Sequence, residues 1–147
     1  WRCLDPVLYE AKAIRATDGP TVPADTYTRL SGLSSAPYND GDMINLTSGD
    51  VTIPVMGRYT IRVYAPWRNY GSVYRRFIQI NKNSTTATVN ILKRIEHSGP
   101  GRKYFDLTYR DDFLAGDVIR AWLFSDTTSN GPEVAAVPSS IDVYQTK

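Results

Sequence analysis

Apolar side chains recur at every second position through most of this chain, and nowhere do they keep a period of 3.6 for three turns. Period two belongs to antiparallel strands with one face buried and the other in water. Gly57 opens the clearest run, in which Tyr59, Ile61, Val63 and Ala65 fall on one side and Arg58, Thr60, Arg62 and Tyr64 on the other. The same reading predicts strands over 9–17, with Ala11, Ala13 and Arg15 on one face, and over 26–30, 43–46 and 51–55. Farther on it predicts a hairpin of 73–80 with 86–95, then 104–109 with Phe105, Leu107 and Tyr109 inward, and a closing strand over 140–144. Turn residues separate them at Asp18-Gly19-Pro20, Ser48-Gly49-Asp50, Asn81-Lys82-Asn83 and Ser98-Gly99-Pro100-Gly101. Residues 116–124 differ, because both faces are apolar: Ile119, Ala121 and Leu123 on one, Val118, Trp122 and Phe124 on the other. Only one face of a strand in a two-layer sandwich reaches the core, so the second predicts contact with another subunit. The fold class is all-β, an antiparallel sandwich of eight to ten strands.

Composition narrows the class. At 147 residues, 41% hydrophobic and 22% charged, the chain is one domain with a sizeable core, neither a disordered tail nor a coiled coil. No run approaches the roughly 20 apolar residues of a membrane-spanning helix. No leader-like apolar core is seen in Trp1-Arg2-Cys3-Leu4-Asp5, and residues 1–10 read as an extended arm ahead of a domain over 11–147. A net charge of +2 is too balanced for a nucleic-acid binder driven by phosphate attraction. The basic residues are 12 Arg to 5 Lys, and arginine alongside tyrosine suits surfaces that pack against protein or sugar. The single cysteine, Cys3, excludes an internal disulfide.

Catalytic chemistry finds little support. His97 is the sole histidine, so no site with two histidine ligands exists, and its expected place is the surface. Gly99-Pro100-Gly101 is a turn, since proline removes a donor that a phosphate loop needs. Asn39-Asp40-Gly41-Asp42 gathers oxygen ligands without calcium-loop spacing, which leaves Asp40 and Asp42 as weak metal candidates and no expected cofactor. Asp111 and Asp112 are adjacent and expected to point apart. Asn45-Leu46-Thr47 and Asn83-Ser84-Thr85 fit the glycosylation acceptor pattern; with no leader seen, coincidence is the expected reading. Trp67, Arg68 and Tyr70, in a loop after the Gly57 strand, are candidates for contact with protein or sugar, as are Ser129 and Asn130 in the loop before the last strand.

Two landmarks carry a resemblance. Gly57-Arg58-Tyr59-Thr60-Ile61-Arg62-Val63 is similar to a Gly-x-Tyr motif followed by alternating apolar residues, and Leu114-Ala115-Gly116-Asp117-Val118 to a Leu-x-Ala-Gly-Asp-x-Val signature before a late strand. In this order and spacing they resemble the jelly-roll domain shared by the globular head of the first complement component and tumour necrosis factor. Phe77-Ile78-Gln79-Ile80-Asn81, Ala13 to Leu30 and Asn39-Asp40 extend the likeness over roughly residues 11 to 145. Where the animal proteins close on a Phe-x-Gly-x-x-Leu strand, this chain has Ser139-Ser140-Ile141-Asp142-Val143-Tyr144, and residues 1–10 carry no collagen-like repeat, so none is expected ahead of the domain. Those departures look more like the family's versions in bacteriophage fibres, spikes and decorations.

The resemblance implies a jelly roll assembled as a homotrimer, with Tyr59, Val118, Arg120, Trp122 and Phe124 as expected interface residues. It carries no catalytic residues. The expected function is a non-enzymatic virion surface head, at a tail fibre, baseplate or spike tip, that binds a host glycan or protein receptor. The alternatives are a decoration protein cementing virion subunits, with residues 1–10 as its anchor, and a secreted eukaryotic ligand domain. Expected partners are further copies of itself, other virion proteins and the host surface, with no nucleic acid and no membrane insertion.

Overall fold

The structure, a computed structural model, describes residues 8–19, 21–67, 75–127, 132 and 138–147. Alternation becomes pairing: the described residues form the strands β1 (Glu10–Arg15), β2 (Thr26–Arg29), β3 (Ser35–Asn39), β4 (Val51–Thr52), β5 (Gly57–Trp67), β6 (Arg75–Lys82), β7 (Ile91–Ser98), β8 (Lys103–Phe113), β9 (Val118–Ser125) and β10 (Ser139–Thr146). They make two antiparallel sheets. The first runs β3-β1-β10-β5-β8; the second runs β2-β9-β6-β7, with β4 also paired to β9.

The side chains that alternation pointed inward meet between the sheets. Tyr59, Ile61, Val63 and Ala65 from β5 and Phe105 and Leu107 from β8 pack against Ile78, Ile80, Ile119, Ala121 and Leu123 from the second sheet, all buried. Full burial of a residue such as Phe105 or Leu107 is worth about 1.5–3 kcal/mol. Arg15 instead turns to the edge and donates to the Ser31 and Gly32 carbonyls.

At the sheet margins the predictions change: the strand expected over 51–55 is cut to Val51–Thr52, two others differ, and one strand appears that was not expected. Residues 43–46 form no strand; Ile44 makes a single bridge to Val51, and Asn45 begins a turn. Ser35–Asn39 is a strand that the polar, proline-bearing segment conceals: β3 lies at a sheet edge, where Pro37 costs no ladder bond. The second arm of the hairpin begins at Ile91 rather than at residue 86, because 84–90 folds back as a flap over the outer face of the second sheet. There the buried Gln79 donates to Ala87 O, and Asn81 Nδ2 donates to Thr86 O (2.8 Å) and Val89 O (3.3 Å).

Candidate interaction surface

Each sheet has an outer face, and the two are finished differently. On the second sheet, the outward residues of β2, β9 and β6 form an aromatic layer. Phe77 and Phe124 stack with ring centroids 4.5 Å apart and planes at 10°, and Tyr27 meets them at 5.8 and 5.0 Å. Arginines close over this layer. Arg94 lies 4.0 Å and Arg75 5.2 Å above the Phe77 ring, and Arg29 lies 5.0 Å above Trp122. Gln79 fixes Arg94 through Nε (2.9 Å) and Nη2 (2.6 Å), Asp50 and the Ser48 carbonyl fix Arg29, and Trp122 Nε1 donates to Asn81 Oδ1 at 3.2 Å. Trp122 is left 8% and Phe124 9% exposed by cover that comes from their own chain. The second apolar face of β9 therefore needs no subunit to shield it.

The first sheet is open. Its outer face carries Tyr38 from β3, Tyr104 from β8 and Tyr144 from β10, exposed by 43%, 54% and 44%, with Tyr64 of β5 between them. Register aligns a row of charge across the strands, since Tyr38 pairs with Lys12, Lys12 with Asp142, and Asp142 with Arg62. Lys12, Tyr38, Arg62, Asp142 and Tyr144 line one shallow depression. The charges are largely spent on one another: Arg62 grips Asp106 in a fork (2.8 and 2.6 Å), Arg58 grips Asp112 in another (2.9 and 3.0 Å), and Lys12 sits 3.4 Å from Asp142. The hydrogen bonds and charge of Arg62 hold the Asp106 carboxyl below the usual range against the opposing effect of burial, and those of Arg58 do the same for Asp112. Burial, followed by the nearby Tyr104 and Asp106, raises Tyr64. What remains unsatisfied is the flat apolar area of the tyrosine rings.

The expected binding and interface residues scatter. Trp67 is fully buried at the end of β5, its ring centroid 5.5 Å from that of Phe105, so it is a core residue and presents no ring for stacking a ligand. Tyr59 likewise belongs to the core, where its hydroxyl donates to Val55 O at 3.0 Å, and not to a subunit contact. Arg68, Tyr70, Ser129 and Asn130 lie outside the described residues, as do Cys3 and most of the expected arm. Val118 and Arg120 face outward and are half-buried, with Arg120 donating to Ser84 O and Asp50. Asp40 accepts from the Glu10 amide, and among the described residues no three metal-ligating side chains converge around it or Asp42. Asp111 accepts from Tyr109 Oη while Asp112 faces Arg58, so the pair does point apart. His97 is exposed and rests edge-on against Phe105, 4.9 Å between centroids.

Alternation alone does not single out the open tyrosine face. Its signal was present: in β8 and β10, tyrosine occupies outward positions that a solvated strand ordinarily gives to charge.

No protein-family model and no curated protein sequence matches this chain. Solved structures do. Murine APRIL superposes with a TM-score of 0.71 over 95% of this chain and 100% of its own at 8% identity. The globular domain of zebrafish complement 1qA gives 0.66 over 95% and 98% at 10%, and Eiger TNF of S. frugiperda 0.64 over 95% and 93% at 14%. The chain has the jelly-roll fold of these tumour necrosis factor and complement 1q domains.

Proposed function

We propose that this chain is the head of a non-enzymatic homotrimer that works outside the cell by binding a surface, its copies packed through the outer face of the first sheet. The observation that carries the reading is the open tyrosine face. Four tyrosines among ion pairs that are already closed form a surface rich in the residues interfaces favour, and the cost of desolvating its charges is partly met within the chain. A fold shared with complement 1q and tumour necrosis factor domains over 95% of the chain supports trimeric association. That assignment moves the contact away from Trp122, which Arg29 covers, and from Phe124, which packs under Phe77 and Tyr27.

Display on a virion, at a tail-fibre, baseplate or spike tip, is the location we favour, on the strength of the closing strand Ser139–Thr146 and its departure from the animal pattern. Cementing of virion subunits is the neighbouring role. A secreted ligand domain is the second reading, favoured by the animal proteins among the matching folds.

Light scattering on the purified chain tests the assembly, and the expected mass is that of three copies. Replacing Tyr104 and Tyr144 together by arginine, at positions exposed in the single chain, is expected to leave the circular-dichroism spectrum unchanged and the mass at one copy. A wild-type monomer, or a trimer indifferent to this pair, overturns the reading.

A further inference from the structure

The two Asn-x-Thr triplets differ sharply once folded. Asn83 is left-handed, with φ of 55°, and is clamped at both ends of its amide: Nδ2 donates to Asp117 Oδ1 at 2.7 Å and Oδ1 accepts from Val118 N at 2.8 Å. A sugar on that nitrogen would grow out of the seam between the hairpin and β9. Asn45 is the opposite case. Its Oδ1 accepts from Thr47 N and Ser48 N, both at 3.0 Å, which fixes the side chain in an Asx turn. Among the described residues its Nδ2 makes no hydrogen bond, and Asn45 and Thr47 are exposed, as Asn83 and Thr85 also are. The turn is itself anchored, through Asn45 N to Asp50 O (2.9 Å), Gly49 N to Asn45 O (2.8 Å) and Gly32 N to Thr47 O (3.1 Å). The acceptor nitrogen is thus free while everything behind it is held.

We propose that Asn45 is an N-linked glycan acceptor, occupied in the folded chain when it has passed through a secretory compartment that supplies a lipid-linked oligosaccharide, and that Asn83 is unoccupied in folded, secreted chains. In the transfer Nδ2 loses a proton and bonds to the anomeric carbon of the sugar, whose bond to the lipid pyrophosphate breaks. Transfer meets the chain before it folds, so folding acts as the filter. A chain modified on Asn45 keeps every hydrogen bond described above, whereas one modified on Asn83 carries its sugar against Asp117 and β9. The Asn45 turn packs on residues 32 and 33, off the tyrosine face, so a glycan there leaves that face clear.

The test expresses the chain behind a cleavable leader in a eukaryotic secretory host and measures intact mass before and after an N-glycan-removing endoglycosidase. Expected is one endoglycosidase-sensitive increment, lost in Thr47→Ala, kept in Thr47→Ser and unchanged in Thr85→Ala. Thr47→Ala suits the purpose because among the described residues the Thr47 hydroxyl makes no hydrogen bond; the expectation is read on secreted chains, and chains retained in the cell are assayed separately, where any Asn83 modification is expected to collect. An unmodified wild-type chain, or an increment lost with Thr85 instead of Thr47, overturns the proposal. Trimer mass is read separately on unglycosylated protein, so failure here and failure of the assembly reading remain distinct.

Discussion

Asp117 stitches together three pieces of chain. One oxygen accepts from Asn83, the other accepts from Leu114 N at 2.9 Å, and Lys82 Nζ stands 3.8 Å away. Burial pushes this carboxyl up, yet the two hydrogen bonds and the lysine together bring it below its ordinary 3.8. Asp117→Ala leaves the Leu114 amide and the Asn83 side chain to find other partners, so it is expected to cost about 1–3 kcal/mol in urea unfolding, with Asn83→Ala non-additive beside it. Asp106, Asp111, Asp112 and Glu96 are depressed too, chiefly by hydrogen bonds from Arg62, Tyr109, Arg58 and Arg75. The unfolded chain therefore takes up protons at a higher pH than the folded one does. Stability from these groups is fully present at neutral pH, begins to fall near pH 4 and continues to fall as pH drops through the depressed values. A urea midpoint that is level between pH 7 and 5 and declines below about 4 is the expected outcome.

Among elements, the flap 84–90 turns on Asn81, which is fully buried although it faces outward. Asn81→Ala strands the Trp122 indole N–H and releases the Thr86 and Val89 carbonyls, so faster hydrogen exchange is expected in 84–90 while exchange in β5 and β8 stays slow. How much was legible in advance follows the same division. Strands that bury one face, above all β5 with its four inward apolar residues, could be read residue by residue, because period two and burial are one fact. The inner and outer sets of β9 were also read correctly. What covers the outer set is not legible in the same way: Arg75 is a neighbour of Phe77 on its own strand, but Arg94 over Phe77 and Arg29 over Trp122 are long-range contacts with no local signature. The β3 edge strand was hidden by Pro37, and Trp67 passed for a loop aromatic because nothing in Pro66-Trp67-Arg68 marks where the strand ends.

For the whole molecule, the two sheet faces act as opposites. One is sealed by its own cations, and the other keeps its cations in surface ion pairs and leaves tyrosine rings exposed. Pairs as exposed as Arg62–Asp106 contribute about 0–1 kcal/mol to a lone chain. Asp106→Asn is accordingly expected to move the unfolding of a monomeric variant hardly at all, yet to weaken the proposed assembly, measured by dilution light scattering, because packing through this face would cover the same pair.

β10, the latest in chain order of the described strands, is the middle of its sheet: it lies between β1 and β5, pairing Tyr144 with Glu10 and Ser140 with Tyr64. Until the ribosome has released Ser139–Thr146, β1 and β5 both present bare edges, and the sheet is in two halves. Folding of this domain therefore waits for β10, and a nascent chain that lacks it holds open edges that a sister chain on the same polysome can also reach. Premature termination a few residues short of β10 is expected to yield aggregate rather than a weakened monomer.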